Sequence, residues 1–228
     1  MSARVDPVWE TSYAAGHRQL YPWDAVVSFV FRYAPKERAR ENVRILEVGC
    51  GTGSNLWFAA REGFAVCGID GSPSAIAYAR ERFARDGLIG DFRVATFDDL
   101  PFDDDSFDLA LDRAALSCVG HAAGRTAVAE VARVLRSGGF FFFNPYSERH
   151  GSAAAGTPGA DGLVENIARG SLIGAGGISF YGRDDVERAL PAPWRIRILE
   201  HMERSDLLDG NNLVHAEWRI VAEKEASA

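Results

Sequence analysis

The chain has 228 residues, of which 47% are hydrophobic, and it carries a formal net charge of −7 at neutral pH. A chain of this size can bury enough surface for one sizeable α/β domain, and its negative charge argues against nonspecific binding to the phosphate backbone of nucleic acids. No apolar run approaches the roughly 18 residues of a membrane span and the N-terminus lacks a signal-peptide core, so we expect a soluble, cytoplasmic protein.

Predicted strands and helices alternate along residues 43–143. Ahead of them, the apolar run 22–33 predicts a helix within an N-terminal helical cap formed by residues 1–40. The predicted strands are 43–48, 65–69, 92–97, 107–111 and 140–143, and the predicted helices are 54–62, 72–86 and 125–136. The pair Gly138-Gly139 is expected to end the last of these helices. This alternation is typical of a parallel sheet with helices on both faces.

The chain changes character after Tyr146. Residues 147–180 are rich in glycine, alanine and serine, and we interpret them as a mobile lid or an insertion that packs near the binding site, because structureless loops of this length are uncommon inside a compact domain. A helix is predicted at 183–190, followed by strands at 195–202 and 213–223. Apolar and polar residues alternate along the last strand, so we expect these two strands to form an antiparallel hairpin at the end of the sheet.

The three cysteines and five histidines are dispersed along the chain. They include no CxxC pair and no cluster with the spacing of zinc ligands. We therefore expect neither a disulfide scaffold nor a bound metal ion.

A glycine-rich turn, Glu47-Val48-Gly49-Cys50-Gly51-Thr52-Gly53, connects the first predicted strand to the helix that follows it. Glycines in such a turn allow a ligand to approach the backbone closely. The dinucleotide-binding pattern GxGxxG would require glycine at position 54, which is serine. Glu47 would also repel a pyrophosphate placed at the start of the helix. A ligand that carries an ammonium group and no phosphate fits the turn better, so a nicotinamide oxidoreductase is disfavoured.

The residues Ile-Leu-Glu-Val-Gly-Cys-Gly-Thr-Gly-Ser-Asn resemble the first motif of class I methyltransferases that use S-adenosylmethionine (SAM), in particular small-molecule enzymes similar to methyltransferase domains 11 and 25. The resemblance extends over roughly residues 40–146. It implies a Rossmann-like, seven-stranded, mostly parallel sheet with a C-terminal antiparallel hairpin and helices on both faces. Residues 41–228 would form the SAM-binding methyltransferase domain. SAM would be the methyl donor and S-adenosylhomocysteine the product.

The resemblance also implies the residues that bind SAM. Asp70, at the end of the second strand, would accept hydrogen bonds from the two ribose hydroxyls. Relatives have Gly-Asp-Ala where this chain has Ala95-Thr96-Phe97, so Thr96 or Asp98 would replace the carboxylate contact to adenine and Phe97 would contact its ring. The complete predicted set is Tyr21, Glu47, Gly49, Cys50, Gly51, Thr52, Gly53, Asn55, Asp70, Gly71, Ser72, Thr96, Phe97, Asp98 and Arg113.

The spacing of residues in the sequence does not identify a single catalytic base, so several candidates stay open. Asp112, His150 and His215 are the predicted bases, and Arg113, His121, Tyr146 and Tyr181 are predicted to contact the acceptor. We expect transfer of the methyl group to an oxygen or nitrogen atom, less often sulfur, of a small molecule such as a sugar or a secondary metabolite. A non-catalytic SAM-binding module that acts through a partner protein is the alternative. Neither a nucleic acid nor a membrane is expected as a partner, and the sequence is compatible with a monomer or a homodimer.

Overall fold

Helices and strands alternate through most of the chain, of which the computed structural model describes residues 6–208 and 213–226. The helices are α1 (Pro7–Ala14), α2 (Asp24–Tyr33), α3 (Ser54–Arg61), α4 (Pro73–Arg85), α5 (His121–Val134) and α6 (Arg183–Ala189). The strands are β1 (Arg44–Val48), β2 (Ala65–Asp70), β3 (Asp91–Val94), β4 (Phe107–Asp112), β5 (Leu135–Phe143), β6 (Thr157–Pro158), β7 (Leu163–Glu165), β8 (Ile178–Ser179), β9 (Trp194–Ser205) and β10 (Val214–Lys224).

Seven strands form the central sheet in the order β3-β2-β1-β4-β5-β10-β9. The first five strands pair in parallel, and β10 pairs antiparallel with both β5 and β9. The predicted fold class, including the C-terminal hairpin, is confirmed. The strand order reverses direction between β1 and β4, and ligands of such sheets bind at the carboxyl ends of the strands at this point.

The sheet is covered on both faces, as the apolar run of β5 predicts. Phe141 and Phe143 pack in one core cluster, whereas Phe142 packs in the other, because successive side chains of a strand point to opposite faces. The first cluster includes apolar residues of α5 and α6, and the second includes those of α2, α3 and α4. Within the described residues, no helix is both long and apolar enough to cross a membrane.

The predicted role of Gly138-Gly139 is wrong. Helix α5 ends at Val134, and β5 begins directly at Leu135, so both glycines lie inside the strand. The register between β4 and β5 shifts at this place, which marks a bulge. Gly138 has φ of +77°, and a Cβ at Gly139 would lie 2.9 Å from the carbonyl oxygen of Asp108. The pair therefore accommodates the bulge, and the chain leaves the helix without a glycine stop.

Two segments contain structure that the sequence patterns do not predict. Helix α1 precedes the predicted N-terminal helix, with the Asp6 side chain accepting a hydrogen bond from the Val8 N–H at its start. Within 147–180, β6, β7 and β8 form a small antiparallel sheet. A local cluster of Ile167, Leu172, Ile178 and Phe180 supports this segment. These residues are widely spaced in the sequence, so no periodic pattern predicts that they form a cluster.

Candidate functional site

The glycine-rich turn lies at the carboxyl end of β1, where the strand order reverses. Gly49, Gly51 and Gly53 have φ of +70°, +50° and +74°, in the left-handed region that favours glycine. A Cβ at position 49 would lie 2.1 Å from the Cβ of Ala115, and one at position 51 would lie 2.6 Å from the hydroxyl oxygen of Tyr13. The glycines therefore allow the left-handed backbone conformation, and they leave room for Ala115 and Tyr13 to lie close to the turn.

Asp70 ends the neighbouring strand β2 and holds the turn in place. Its two carboxylate oxygens accept hydrogen bonds from the backbone N–H groups of Gly51 and Ser72, each at 2.8 Å. Burial raises the pKa of Asp70, and these two hydrogen bonds oppose the rise. Each carboxylate oxygen can accept more than one hydrogen bond, so acceptor capacity remains for a ligand with two adjacent hydroxyls.

Two buried carboxylates lie at the carboxyl ends of β1 and β4. Glu47 is 2% exposed, and its Oε1 accepts a 2.6 Å hydrogen bond from the Asn55 amide, whereas its Oε2 has no hydrogen-bond partner among the residues that the structure describes. Burial raises the pKa of Glu47 to about 8, and the nearby Asp112 and Asp70 add to the rise. Asp112 is fully buried, and burial raises its pKa to about 6 although backbone N–H groups oppose this. The site therefore concentrates acidic side chains whose ionised forms a cationic ligand group would stabilise.

The N-terminal segment covers the turn. The Glu10 carboxylate of α1 accepts hydrogen bonds from the hydroxyls of Ser72 and Ser74, at the start of α4. Further along the segment, the Thr52 hydroxyl donates to the carbonyl of Gln19 at 3.0 Å, and the Trp23 N–H donates to Asn55 Oδ1 at 3.0 Å. Polar contacts thus attach residues 10–23 to both ends of the glycine-rich site.

Two adjoining cavities lie beneath this cover. The first, of about 120 Å³, is bounded by Gly49, Asp70 and Phe97 on the side of the turn. Its other lining residues are Trp9, Tyr13, Arg113, Ala114, Ala115, Cys118, Tyr146, Leu172, Ala175 and Ile178. The second, of about 420 Å³, extends along the turn from Glu47 to Asn55 and is covered by Gln19, Trp23 and residues 171–175. Both cavities reach Arg113 and Tyr146, so these two residues lie where the cavities meet.

Arg113 is held rigidly at this junction. One guanidinium nitrogen lies 3.1 Å from Glu217 Oε2, and the guanidinium carbon lies 4.1 Å from the centre of the Trp23 ring. Glu217 also interacts with Arg219 at 2.9 Å and His215 at 3.2 Å. Burial opposes the ionisation of Glu217, but His215, Arg113 and Arg219 outweigh it and lower its pKa to about 2. Glu217 is therefore an ionised, buried anchor for Arg113.

A family model described as a methyltransferase domain matches residues 46–143, which include part of β1, all of β2 to β5 and the glycine-rich turn. The phthiotriol/phenolphthiotriol dimycocerosates methyltransferase of Mycobacterium tuberculosis is 35% identical over 156 residues, which are 65% of this chain and 56% of that protein. The ubiquinone biosynthesis O-methyltransferase of Methylocella silvestris is 34% identical over 140 residues, 61% of this chain and 53% of that protein. The chain therefore spans little more than half the length of these curated relatives.

The fold agrees with this match. A crystal structure of a SAM-dependent methyltransferase from Methanosarcina mazei superposes with a TM-score of 0.72 and 22% identity, covering 91% of this chain and 100% of that one. The chain is therefore similar to methyltransferases in sequence over residues 46–143 and to SAM-dependent methyltransferases in fold. The matched region supplies the glycine-rich turn and Asp70, whereas α1, residues 171–178 and Glu217 lie outside it.

The structure brings many of the predicted methyltransferase site residues to the two cavities. The predicted residues that line a cavity are Glu47, Gly49, Cys50, Gly51, Thr52, Asn55, Asp70, Phe97, Arg113 and Tyr146. Gly53, Gly71, Ser72, Thr96 and Asp98 lie in the adjoining turns without lining either cavity, and the Ser72 hydroxyl caps α4 by accepting from the Ala75 N–H. These five residues therefore shape the surroundings of the cavities.

Three other predicted residues lie away from the cavities. Tyr21 is 71% exposed and lines neither cavity. His121 begins α5, pairs with Asp185 at 3.3 Å and packs on Tyr181 with ring centres 4.7 Å apart. Tyr181 is buried in the core cluster that also contains the apolar residues of α5 and α6. Its aromatic ring thus fills the core, and neither His121 nor Tyr181 reaches the crevice.

The predicted bases Asp112, His150 and His215 do not line either cavity. His150 and His215 pack behind Tyr146, with their ring centres 5.0 Å apart. Burial and the neighbouring His215 lower the pKa of His150 to about 4, so His150 is neutral at physiological pH. Asp112 is enclosed by backbone N–H groups, including that of Leu116 at 2.9 Å. Within the described residues, no group of three or more His, Cys, Asp or Glu side chains could hold a metal ion.

Sequence reasoning missed the residues that cover the site. Trp9 and Tyr13 of α1 line both cavities, and Leu172 and Ala175 of the insertion do the same. The pair Asp6-Pro7 was a usable signal for α1, since aspartate at the N-cap and proline at the first position are typical of helix starts. No comparable signal exists for residues 171–175, whose contribution depends on the tertiary fold.

Proposed function

We propose that the chain is a SAM-dependent methyltransferase that acts on an oxygen or nitrogen atom of a small molecule. The observation that carries this proposal is the combination of Asp70, the unpartnered Glu47 oxygen and the glycine-rich turn around one pair of cavities. SAM supplies a methyl group that is already activated by attachment to a sulfonium. The chain must therefore mainly bind, orient and enclose the reactants.

The chemistry of the donor set fits SAM. The unpartnered Glu47 oxygen suits the ammonium group, the remaining acceptor capacity of Asp70 suits the ribose hydroxyls, and Phe97 offers an apolar surface to the adenine ring. A pyrophosphate would meet both carboxylates without a compensating cation at the turn. This favours SAM over a dinucleotide.

We also propose that residues 1–40 form a cap and that residues 147–180 form a lid over the domain 41–228. Trp9 and Tyr13 from the cap and Leu172 and Ala175 from the insertion line the same space. Enclosing two reactants in a fixed orientation supports effective concentrations on the order of 10⁵ M or more. Such positioning accounts for much of the rate that a pre-activated methyl donor requires.

The activities for which two relatives are named support a small-molecule acceptor. One relative is a methyltransferase of phthiotriol and phenolphthiotriol dimycocerosates and another is an O-methyltransferase of ubiquinone biosynthesis. The second name favours an oxygen acceptor for this chain.

Calorimetric titration with SAM, S-adenosylhomocysteine and NAD tests the donor. We expect binding of SAM and S-adenosylhomocysteine and no binding of NAD. Tight NAD binding without a response to SAM would refute the proposal. A screen that measures S-adenosylhomocysteine formation with metabolite pools then tests turnover, and binding without turnover in any pool would favour the non-catalytic alternative.

A further inference from the structure

The proposed donor residues are divided between the two cavities. Asp70 and Phe97, which the proposed function gives to the ribose and the adenine, line the first cavity. Glu47, which it gives to the ammonium group, lines the second, and Gly49 lines both. A bound donor would therefore span both cavities, with its amino-acid end in the second. This end is a zwitterion at neutral pH, because an α-carboxylate lies beside the ammonium group.

The second cavity offers one permanent cation for this carboxylate. Arg113 is the only arginine or lysine among the described residues that line the cavity. Burial raises the pKa of the Cys50 thiol and of the Tyr13 hydroxyl, so both of these lining groups are neutral. Glu47, once ionised, and Arg113 thus supply the two opposite charges that an amino-acid end requires.

Arg113 keeps hydrogen-bonding capacity for a ligand. A guanidinium has five N–H donors in a planar fork. One of its nitrogens lies 3.1 Å from Glu217 Oε2, and a hydrogen bond from Arg113 opposes the rise that burial causes in the pKa of the Tyr146 hydroxyl. These contacts leave further donors, and a guanidinium can donate two parallel hydrogen bonds to one carboxylate. The Arg113 side chain is only 9% exposed, so an ion pair formed there would be little weakened by water.

Glu217 fixes the position of Arg113 without lining either cavity. It lies on β10 and contacts the guanidinium, whose carbon lies 4.1 Å from the centre of the Trp23 ring. Glu217 is itself held by Arg219 at 2.9 Å. Without the Glu217 carboxylate, the Arg113 guanidinium would be free to adopt other orientations.

We infer that Arg113 holds the α-carboxylate of the methyl donor and that Glu217 is the positioning residue that fixes Arg113 for this role. The inference rests on the proposed function and adds to it the binding of the donor's amino-acid end. Glu217 lies outside the region matched by the family model, whereas Arg113 lies inside it. The C-terminal hairpin would thus complete a donor site whose other charged residues, Glu47 and Asp70, come from the matched region.

The test compares two ligands that differ only in the carboxylate, using the full chain. They are S-adenosylhomocysteine and its decarboxylated analogue, which keeps the adenosine, the thioether and the amine. Calorimetry near neutral pH measures both dissociation constants, and their ratio is the carboxylate preference. A variant that merely loosens the site weakens both ligands and leaves this ratio unchanged. We expect the unmodified chain to prefer S-adenosylhomocysteine by about 30-fold or more.

Variants of the two residues separate their roles. We expect Arg113→Met to reduce the preference to about threefold or less, with partial recovery in Arg113→Lys, because lysine keeps the charge but loses the planar fork of donors. Glu217→Gln should reduce the preference to about tenfold. Glu217→Asp keeps the charge on a shorter side chain and should fall between Glu217→Gln and the unmodified chain. The matched controls are Arg183→Met and Glu187→Gln, from an exposed ion pair on α6, and both should keep the full preference.

The outcomes distinguish this inference from the function on which it rests. If the unmodified chain binds both ligands equally, or if Arg113→Met keeps the preference, Arg113 does not hold the carboxylate, and the inference fails while the methyltransferase proposal stands. A preference that is unchanged in both Glu217 variants would overturn the positioning role of Glu217. If the unmodified chain binds neither SAM nor S-adenosylhomocysteine, the methyltransferase proposal fails, and this inference fails with it.

Discussion

Glu47 provides a quantitative test of the donor site, because its pKa of about 8 lies far above the ordinary value of 4.5. Below pH 8 the unliganded protein therefore holds Glu47 protonated. We propose that the ligand's ammonium group faces this carboxylate, which favours the ionised form in the complex. Binding should then release a proton, and the affinity should rise as the pH rises toward 8.

The magnitude follows from the pKa. At about pH 7, one unit below the pKa, roughly 90% of unliganded Glu47 is protonated, so binding releases about 0.9 proton. Between about pH 6.5 and 7.5 the affinity for S-adenosylhomocysteine should rise by up to about tenfold, or about 1.4 kcal/mol. Asp112 contributes little in this interval, because its pKa of about 6 leaves it mostly ionised. Above this interval the ligand's own amine begins to lose its proton.

Isothermal titration calorimetry in two buffers with different enthalpies of ionisation measures both quantities. The variant Glu47→Gln keeps the side-chain shape but has no proton to release, so its affinity should be lower and nearly independent of pH. Glu62→Gln, at a side chain that pairs with exposed Arg40 and lines neither cavity, should keep the pH dependence. An affinity that stays constant over this interval without proton release would refute the reasoning about Glu47.

Three further predictions concern the turn and its cover. Asp70→Asn should weaken S-adenosylhomocysteine binding by about tenfold or more in calorimetry, because the hydrogen bonds to the ribose hydroxyls lose their charge; an unchanged affinity would remove Asp70 from the donor site. Gly49→Ala should lower the free energy of unfolding in urea by more than Gly87→Ala, since both have positive φ but only position 49 has a neighbour, at 2.1 Å. The Gly87→Ala cost should be about 1–2 kcal/mol, and equal losses would show that Ala115 gives way. Glu10→Gln should speed dissociation of S-adenosylhomocysteine in stopped-flow fluorescence, because α1 loses its charge-assisted contacts to Ser72 and Ser74; an unchanged rate would mean that α1 does not retain the ligand.

The hairpin prediction shows where sequence patterns sufficed. Apolar and polar residues alternate along β10, and the structure pairs this strand with β9 on one side and β5 on the other. The glycine-rich turn was equally predictable, because a tight turn restricts which residues its backbone accepts, whereas Asp70 was predicted through the resemblance to the methyltransferase family. The role of Gly138-Gly139 was not predictable from the sequence, because glycines suit both a helix end and a strand bulge. Which of the two forms depends on the register between β5 and β4.

The sequence by itself determined the class of fold and the position of the glycine-rich turn, because these depend on short-range periodicity and backbone sterics, and the acid at the end of β2 was identified through the family resemblance. Only the tertiary structure decided what covers the site. It brought Trp9 of α1 and Leu172 of the insertion to the cavity that Arg113 lines, and it placed Glu217 of β10 3.1 Å from Arg113, although these residues lie far apart along the chain. It also placed His150 and His215 behind Tyr146. Contacts between distant segments follow from how the helices and strands pack together, and local sequence patterns do not predict that packing.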